Sequence, residues 1–114
     1  MKKQIKNLSL HELDFLVAKA EGLEPKIQNK ACLIYDPFSH VCIYSPTTNP
    51  SQAWYIIERE RIAVLPSANL DEWVSRQSHR FIFSHGKTSL ESAMRCYVES
   101  KFGNEVDIEN LTNK

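Results

Sequence analysis

Thr88-Ser89-Leu90-Glu91-Ser92-Ala93-Met94-Arg95-Cys96-Tyr97-Val98-Glu99-Ser100-Lys101-Phe102-Gly103 is the stretch whose reading decides the fold. Its first four residues have the form of a capping box, a hydroxyl able to accept from the amide three residues on and a carboxylate able to reach back. Leu90, Ala93, Met94, Tyr97, Val98 and Phe102 then recur at helical spacing on one face, and Gly103 ends the run. Glu91, Arg95 and Glu99 form an i, i+4 charge ladder on the margin of that face. Just upstream, Gly86 reads as a turn residue.

A second stretch repeats the pattern. Ser9-Leu10-His11-Glu12 is again a capping box, Leu8 and Leu13 stand at the staple positions, and Leu10, Leu13, Leu16, Val17 and Ala20 form a stripe that runs to Gly22. Phe15 falls on the far side, so this helix either packs on two surfaces or shows one aromatic to a partner. Between the helices lie short apolar, β-branched and aromatic runs. Ala31-Cys32-Leu33-Ile34-Tyr35 and Val41-Cys42-Ile43-Tyr44 read as two buried strands of a hairpin or meander, and Ile62-Ala63-Val64-Leu65 as a strand ended by Pro66. Further strands are expected over 73–76 and over 80–84, the latter centred on Phe81, Ile82 and Phe83. Residues 45–51, with Pro46 and Pro50, cannot continue a ladder. The segment from Ala53 to Glu60 suits one or two helical turns or an extended piece.

Two helices at the ends of a strand-rich middle predict an α+β domain, with two amphipathic helices packed on one face of a small antiparallel sheet. The 114 residues are expected to form one domain with frayed ends at 1–6 and 110–114. Fourteen basic residues balance fourteen acidic ones, so there is no global field to draw in nucleic acid or an anionic bilayer, and no apolar run approaches the length of a membrane span. Locally, Arg76, His79, Arg80, His85 and Lys87 make a small basic segment without acidic residues. It could meet a phosphate or an acidic partner, although edge strands often carry such charges simply to block pairing. Three cysteines, an odd number, and a polar start point to a reducing cytoplasm, with Cys32, Cys42 and Cys96 read as packing residues.

Recognisable catalytic chemistry is missing from the pattern. His40 and Cys42 share one side of a strand, but two ligands do not make a zinc site, so no metal is expected. The three glycines are too dispersed for a phosphate-cradling loop, and no Gly-x-Ser-x-Gly elbow occurs, so no cofactor is expected either. The one dense polar patch is Glu58-Arg59-Glu60-Arg61. Alternating charge is ordinarily a solvated, mutually paired surface. A small enzyme with a carboxylate site would need Glu58 and Glu60 to converge on one cleft, assisted by Arg95 or His85. The neighbouring proline-rich loop with its aromatics is the better contact surface, because rigid loops carrying aromatics anchor interfaces.

Several of these residues also resemble a known family. Tyr44-Ser45-Pro46-Thr47-Thr48-Asn49, Ile56-Ile57-Glu58-Arg59-Glu60 with Ile62, Trp73, and above all Ala93-Met94-Arg95-Cys96-Tyr97-Val98 followed by Lys101, Gly103, Glu105 and Val106 are similar to the NinX-like family of small phage and prophage proteins. Leu13-Asp14-Phe15 and Ala18-Lys19-Ala20-Glu21-Gly22 resemble that family's opening helix. The chain departs from the pattern in having Pro50 and then Ala53-Trp54-Tyr55 where a Trp and Gly-Gly-Pro are usual, and Ser89 where a helix-opening Pro is usual. The resemblance implies a protein of a lambdoid-type phage or prophage acting in the bacterial cytoplasm, and no particular reaction. Together these readings predict a non-catalytic accessory protein that binds an unidentified host or phage protein. The contact residues expected are Tyr44, Pro46, Thr48, Trp54, Tyr55, Glu58, Arg59 and Glu60, with nucleic-acid binding through Arg76, His79, Arg80 and Lys87 as a weaker alternative.

Overall fold

The computed structural model describes residues 1–38, 40–69, 71–80 and 83–107. Along the chain run β1 (Lys2–Gln4), a 3-10 turn (Ile5–Asn7), α1 (Leu10–Ala20), β2 (Lys26–Gln28), β3 (Ala31–Tyr35), β4 (Val41–Ile43) and α2 (Pro50–Arg59). They are followed by β5 (Ile62–Pro66), β6 (Trp73–Gln77), β7 (Ser84–Gly86), α3 (Ser89–Phe102) and β8 (Glu105–Asp107). The chain is α+β with antiparallel pairing, as the pattern predicts. Among the described residues, however, the strands divide into three small sheets, β1 with β8, β2-β3-β4 and β5-β6-β7. The segment 1–6, expected to fray, instead supplies β1, with Lys2 opposite Asp107 and Gln4 opposite Glu105. The expected strand at 80–84 falls partly on 81–82, outside the described residues, and the ladder to β6 is made by Ser84–Gly86. Residues 110–114 also lie outside them.

Both expected helices form where their caps place them. Ser9 and Glu12 exchange both bonds of the box, the Ser9 amide donating to Glu12 Oε1 at 2.9 Å. At α3 only half of the box closes: Thr88 Oγ1 accepts from the Glu91 amide at 3.1 Å, while the Glu91 carboxylate turns to the Lys87 amide and to Arg95. The third helix, α2, opens at Pro50 in the first helical position, where the missing N–H costs nothing, and Asn49 caps it by accepting from the Ser51 amide.

The core gathers around α3, which lies across β5-β6-β7 on one side and meets α1 on another. Small residues let it lie close. Ser75 Oγ donates to the Ser92 carbonyl at 2.6 Å, and Ser92 Oγ donates to the Ser84 carbonyl at 3.1 Å. Gly86 is thus a buried strand position and not a turn. A Cβ on it would stand 2.5 Å from the Ser92 amide nitrogen. On α1, residues 13–18 are all buried, so Phe15 is covered and the helix packs on two surfaces. Leu10, expected in the buried stripe, is exposed at the first turn instead. β4 is likewise not buried: it is the outer strand of its sheet, and Val41, Cys42 and Ile43 all face solvent. Cys42 is therefore no packing residue, unlike Cys32 and Cys96, whose thiols burial pushes up to about 12 and about 11.

A carboxyl group is enclosed in the core. Asp14 on α1 accepts from the Thr47 amide at 2.9 Å and so fastens loop 45–49 to the helix. Burial raises its carboxyl from 3.8 to about 6, against the opposing pull of that amide donor. The folded state thus holds a proton that the unfolded chain has released between about pH 4 and 6, and the stability contributed by this group falls as pH rises through that window. Asp14→Asn, which keeps an accepting oxygen for Thr47, is expected to remove that slope and to gain about 2 kcal/mol at pH 7, read by urea melts at pH 4.5 and 7.5. Gly86→Ala should cost about 1–3 kcal/mol in the same melts, because helix and strand backbones would have to part.

Candidate functional site

Loop 45–49 divides the predicted contact residues. Tyr44 is only 7% exposed and Pro46 is fully buried, so neither belongs to a contact surface. The two residues fail for one reason: Asp14 draws the loop inward, Ser45 donates its amide to Gln52 Oε1, and Gln52 returns a bond to the Ile43 carbonyl. Thr48 is exposed, its hydroxyl donating to the Ser45 carbonyl. On α2 the 3.6-residue period buries Ala53, Ile56 and Ile57 and turns Trp54, Tyr55 and Glu58 outward, with Trp54 58% and Tyr55 66% exposed. Trp54 stands beside an apolar groove of about 230 Å³ walled by Ile57, Ile62, Val64 and Leu90.

Arg59 and Glu60 are committed within the fold. The Arg59 guanidinium donates to both oxygens of Glu21 at the end of α1, from Nη1 at 2.9 Å and Nη2 at 2.5 Å. It also donates through Nε to Glu60 at 2.9 Å and through Nη2 to the Tyr97 hydroxyl at 3.1 Å. The Tyr97 hydroxyl itself donates to Glu21, and Gln77 Nε2 donates to Glu60 Oε1 at 3.2 Å. Arg59 bonding holds the Glu21 carboxyl below its ordinary range, while burial and the Glu21 charge raise the Tyr97 phenol. This cluster joins the C-terminal ends of α1 and α2 to α3 and β6. Glu58 points to solvent and Glu60 to Arg59 and Gln77, so the two carboxylates do not share a cleft.

The basic segment is also dispersed. Val74 lies opposite His85 and Trp73 opposite Gly86, so Lys87 follows one end of the β6–β7 hairpin while 78–80 lie at the other. Arg76 Nη1 donates to the Arg80 carbonyl at 3.2 Å, and His79 is exposed. His40 pairs with Asp36 at 2.9 Å, away from any joint site with Cys42. Among the described residues, no group of three or more His, Cys, Asp or Glu could hold a metal ion, and no helix is long and apolar enough to cross a membrane.

A concavity larger than the groove beside Trp54 lies elsewhere. A cleft of about 420 Å³ opens between β7, the Glu91–Arg95–Glu99 side of α3, and residues Gln4, Lys6 and Asn104. Arg95, expected on the helix margin, is sealed beneath it with its side chain 7% exposed. Nε donates to the Ile5 carbonyl at 3.3 Å, Nη2 to the Leu8 carbonyl at 3.0 Å, and Nη1 to the His85 carbonyl at 2.6 Å and to Glu91 at 2.8 Å. One turn on, Glu99 Oε1 accepts from Ser84 Oγ at 3.2 Å, and burial raises its carboxyl. His85 stands 3.8 Å from Glu72 at the rim. The charge ladder is the signal in the sequence that marks this cleft. Its spacing is legible, but its inward direction depends on carbonyls supplied by residues 5, 8 and 85. Arg95→Lys is expected to cost about 3 kcal/mol in chemical denaturation, since an ammonium cannot reach three carbonyls in fork geometry and would leave some of them buried and unpaired.

No curated protein matches the chain. The family model described as "Bacteriophage P22, NinX" matches residues 4–101, a span that includes Asp14, the Arg59 cluster and the whole of α2, and all of α3 except its last residue. The chain therefore belongs to the bacteriophage P22 NinX family.

Proposed function

We propose that this phage protein is a non-catalytic accessory module that acts in the bacterial cytoplasm by binding a host or phage protein, with Trp54 as the anchor. One observation carries the reading: Trp54 is a large aromatic left more than half exposed beside an apolar groove. Exposed aromatics next to desolvated pockets are where binding energy concentrates. Tyr55 extends the same surface, and Glu58 supplies a charge at its margin. The groove has room for one or two aliphatic side chains, which fits a partner that presents them from a helix or a strand.

The contact surface is narrower than the loop-centred one expected from the sequence. It keeps Trp54, Tyr55 and Glu58, with Thr48 at its edge, and leaves out Tyr44 and Pro46. Arg59 and Glu60 act instead as the struts that hold α2 in place. The outward Glu58 and the paired Glu60 weigh against a carboxylate enzyme, and the separation of Arg80 from Lys87 weighs against a nucleic-acid stripe.

Affinity capture from phage-infected cells tests this reading. The expected result is one partner whose retention falls tenfold or more with Trp54→Ala and is unchanged by Phe38→Ala, an even more exposed aromatic beyond the end of β3. A partner indifferent to Trp54, or repeated capture of none, overturns it.

A further inference from the structure

The polar cleft has a direction. From Phe83 to Lys87 the chain runs along β7 while α3 passes antiparallel beside it, so Ser84 meets Glu99, the His85 carbonyl meets Arg95, and the Lys87 amide meets Glu91. Five residues of extended chain make this edge about 13 Å long. Two of its backbone groups, the His85 carbonyl and the Lys87 amide, are already taken by Arg95 and Glu91, which disfavours an added strand and leaves the cleft to a small molecule. The volume, about 420 Å³, lies within the roughly 300–1,000 Å³ of small-molecule sites.

The two ends differ in chemistry. At one end, the exposed Phe83 lines the cleft beside Ser84, whose hydroxyl donates to Glu99 Oε1, and a carboxylate has lone pairs for further donors. At the other, Arg95 is consumed by carbonyls and Glu91, but it holds the backbone on either side of it, through Ile5 and His85. Lys6, next to Ile5, and Lys87, two residues beyond His85, both line the cleft. Glu91, at the Lys87 end, is already paired with Arg95 and the Lys87 amide, and Glu72 stands by His85, so the lining left over, Phe83 with Glu99 and the lysines Lys6 and Lys87, is complementary to a flat base carrying a phosphate.

We propose that this cleft binds a guanine nucleotide, with Phe83 stacking on the base, Glu99 accepting from its N–H edge, and Lys6 and Lys87 taking the phosphate. The preference follows from the carboxylate. A carboxylate only accepts, and guanine alone among the common bases presents two adjacent N–H donors, on N1 and N2. Adenine and cytosine place an acceptor nitrogen beside their amine, which would face the Glu99 charge. The same chemistry is available from a free mononucleotide or from a phosphorylated strand end. The proposal is independent of the Trp54 surface.

Isothermal titration of the full chain with GMP, AMP, CMP and inorganic phosphate tests it. GMP is expected to bind about tenfold or more tightly than AMP or CMP, and phosphate alone to bind weakest. Glu99→Gln keeps an oxygen for Ser84 but replaces the pure acceptor with a mixed donor and acceptor, and should abolish the guanine preference. Lys87→Ala should weaken all three nucleotides about tenfold. Circular dichroism melts confirm that each variant is folded, and Phe38→Ala, at an exposed ring outside the cleft, should leave GMP binding unchanged. A 5′-phosphorylated GpA dinucleotide binding more tightly than GMP identifies a strand end as the source, and weaker binding identifies the free nucleotide. No saturable heat with GMP, phosphate binding as tight as GMP, or a guanine preference that survives Glu99→Gln overturns the proposal.

Discussion

A single guanidinium holds together parts of the chain that share no sheet. Arg95 is buried on α3, and its donors reach the carbonyls of Ile5, Leu8 and His85 as well as the Glu91 carboxylate. A buried cation is tolerated only when its donors are matched, and here most of the partners are backbone oxygens, of which that of Ile5 also accepts from the Leu8 amide. The dependence is mutual: the 3-10 turn and the outer edge of β7 have these carbonyls satisfied because α3 passes between them. The cleft above α3 exists because this one residue sets the spacing of its walls.

Two further polar contacts do similar work where apolar packing alone would leave segments loose. Asp14 fixes loop 45–49 from inside, and the Arg59–Glu21–Tyr97 cluster clamps the far ends of α1 and α2 to α3. Among the described residues the β strands are three to five residues long and lie in three separate sheets, none of which is a continuous platform that could supply that order. Several of the residues that carry the family resemblance lie at these joints, with Asp14 in the opening helix, Arg59 and Glu60 on and just after α2, and Arg95 and Tyr97 on α3. In this protein they read as architecture more readily than as catalysis.

The helices were legible because their signals are local. Ser9 with Glu12, Thr88 with Glu91, Gly22 and Gly103 act within a few residues of themselves, and the apolar periods of α1 and α3 are long enough to be unambiguous. α2 was not, since its start is a proline in the first turn and its outer face carries Trp54 and Tyr55, which blur the period. The inward turn of Arg95, the burial of Tyr44 and Pro46 and the capture of Glu60 all depend on partners far away in sequence, and no window of residues contains them. β4 shows the opposite failure. Val41, Cys42 and Ile43 have the composition of a core strand but sit at an open sheet edge, where composition says nothing about which faces are covered. The site is half visible in the sequence, where the Glu91–Arg95–Glu99 ladder, His85 and Lys87 stand out, while their meeting with Lys6 and Asn104 follows only from the tertiary path of the chain.

That path also imposes an order on biosynthesis. Residues 2–4 take up their strand only against 105–107, and the carbonyls of Ile5 and Leu8 wait for a side chain ninety and eighty-seven positions later. On the ribosome, α1 and the β2-β3-β4 meander can collapse early, but the segment ahead of α1 must stay unpaired until nearly the whole described chain has emerged. Closing so long a loop is an entropic toll collected at the last step, and it makes the joining of β1 to β8 the natural candidate for the slow phase of refolding.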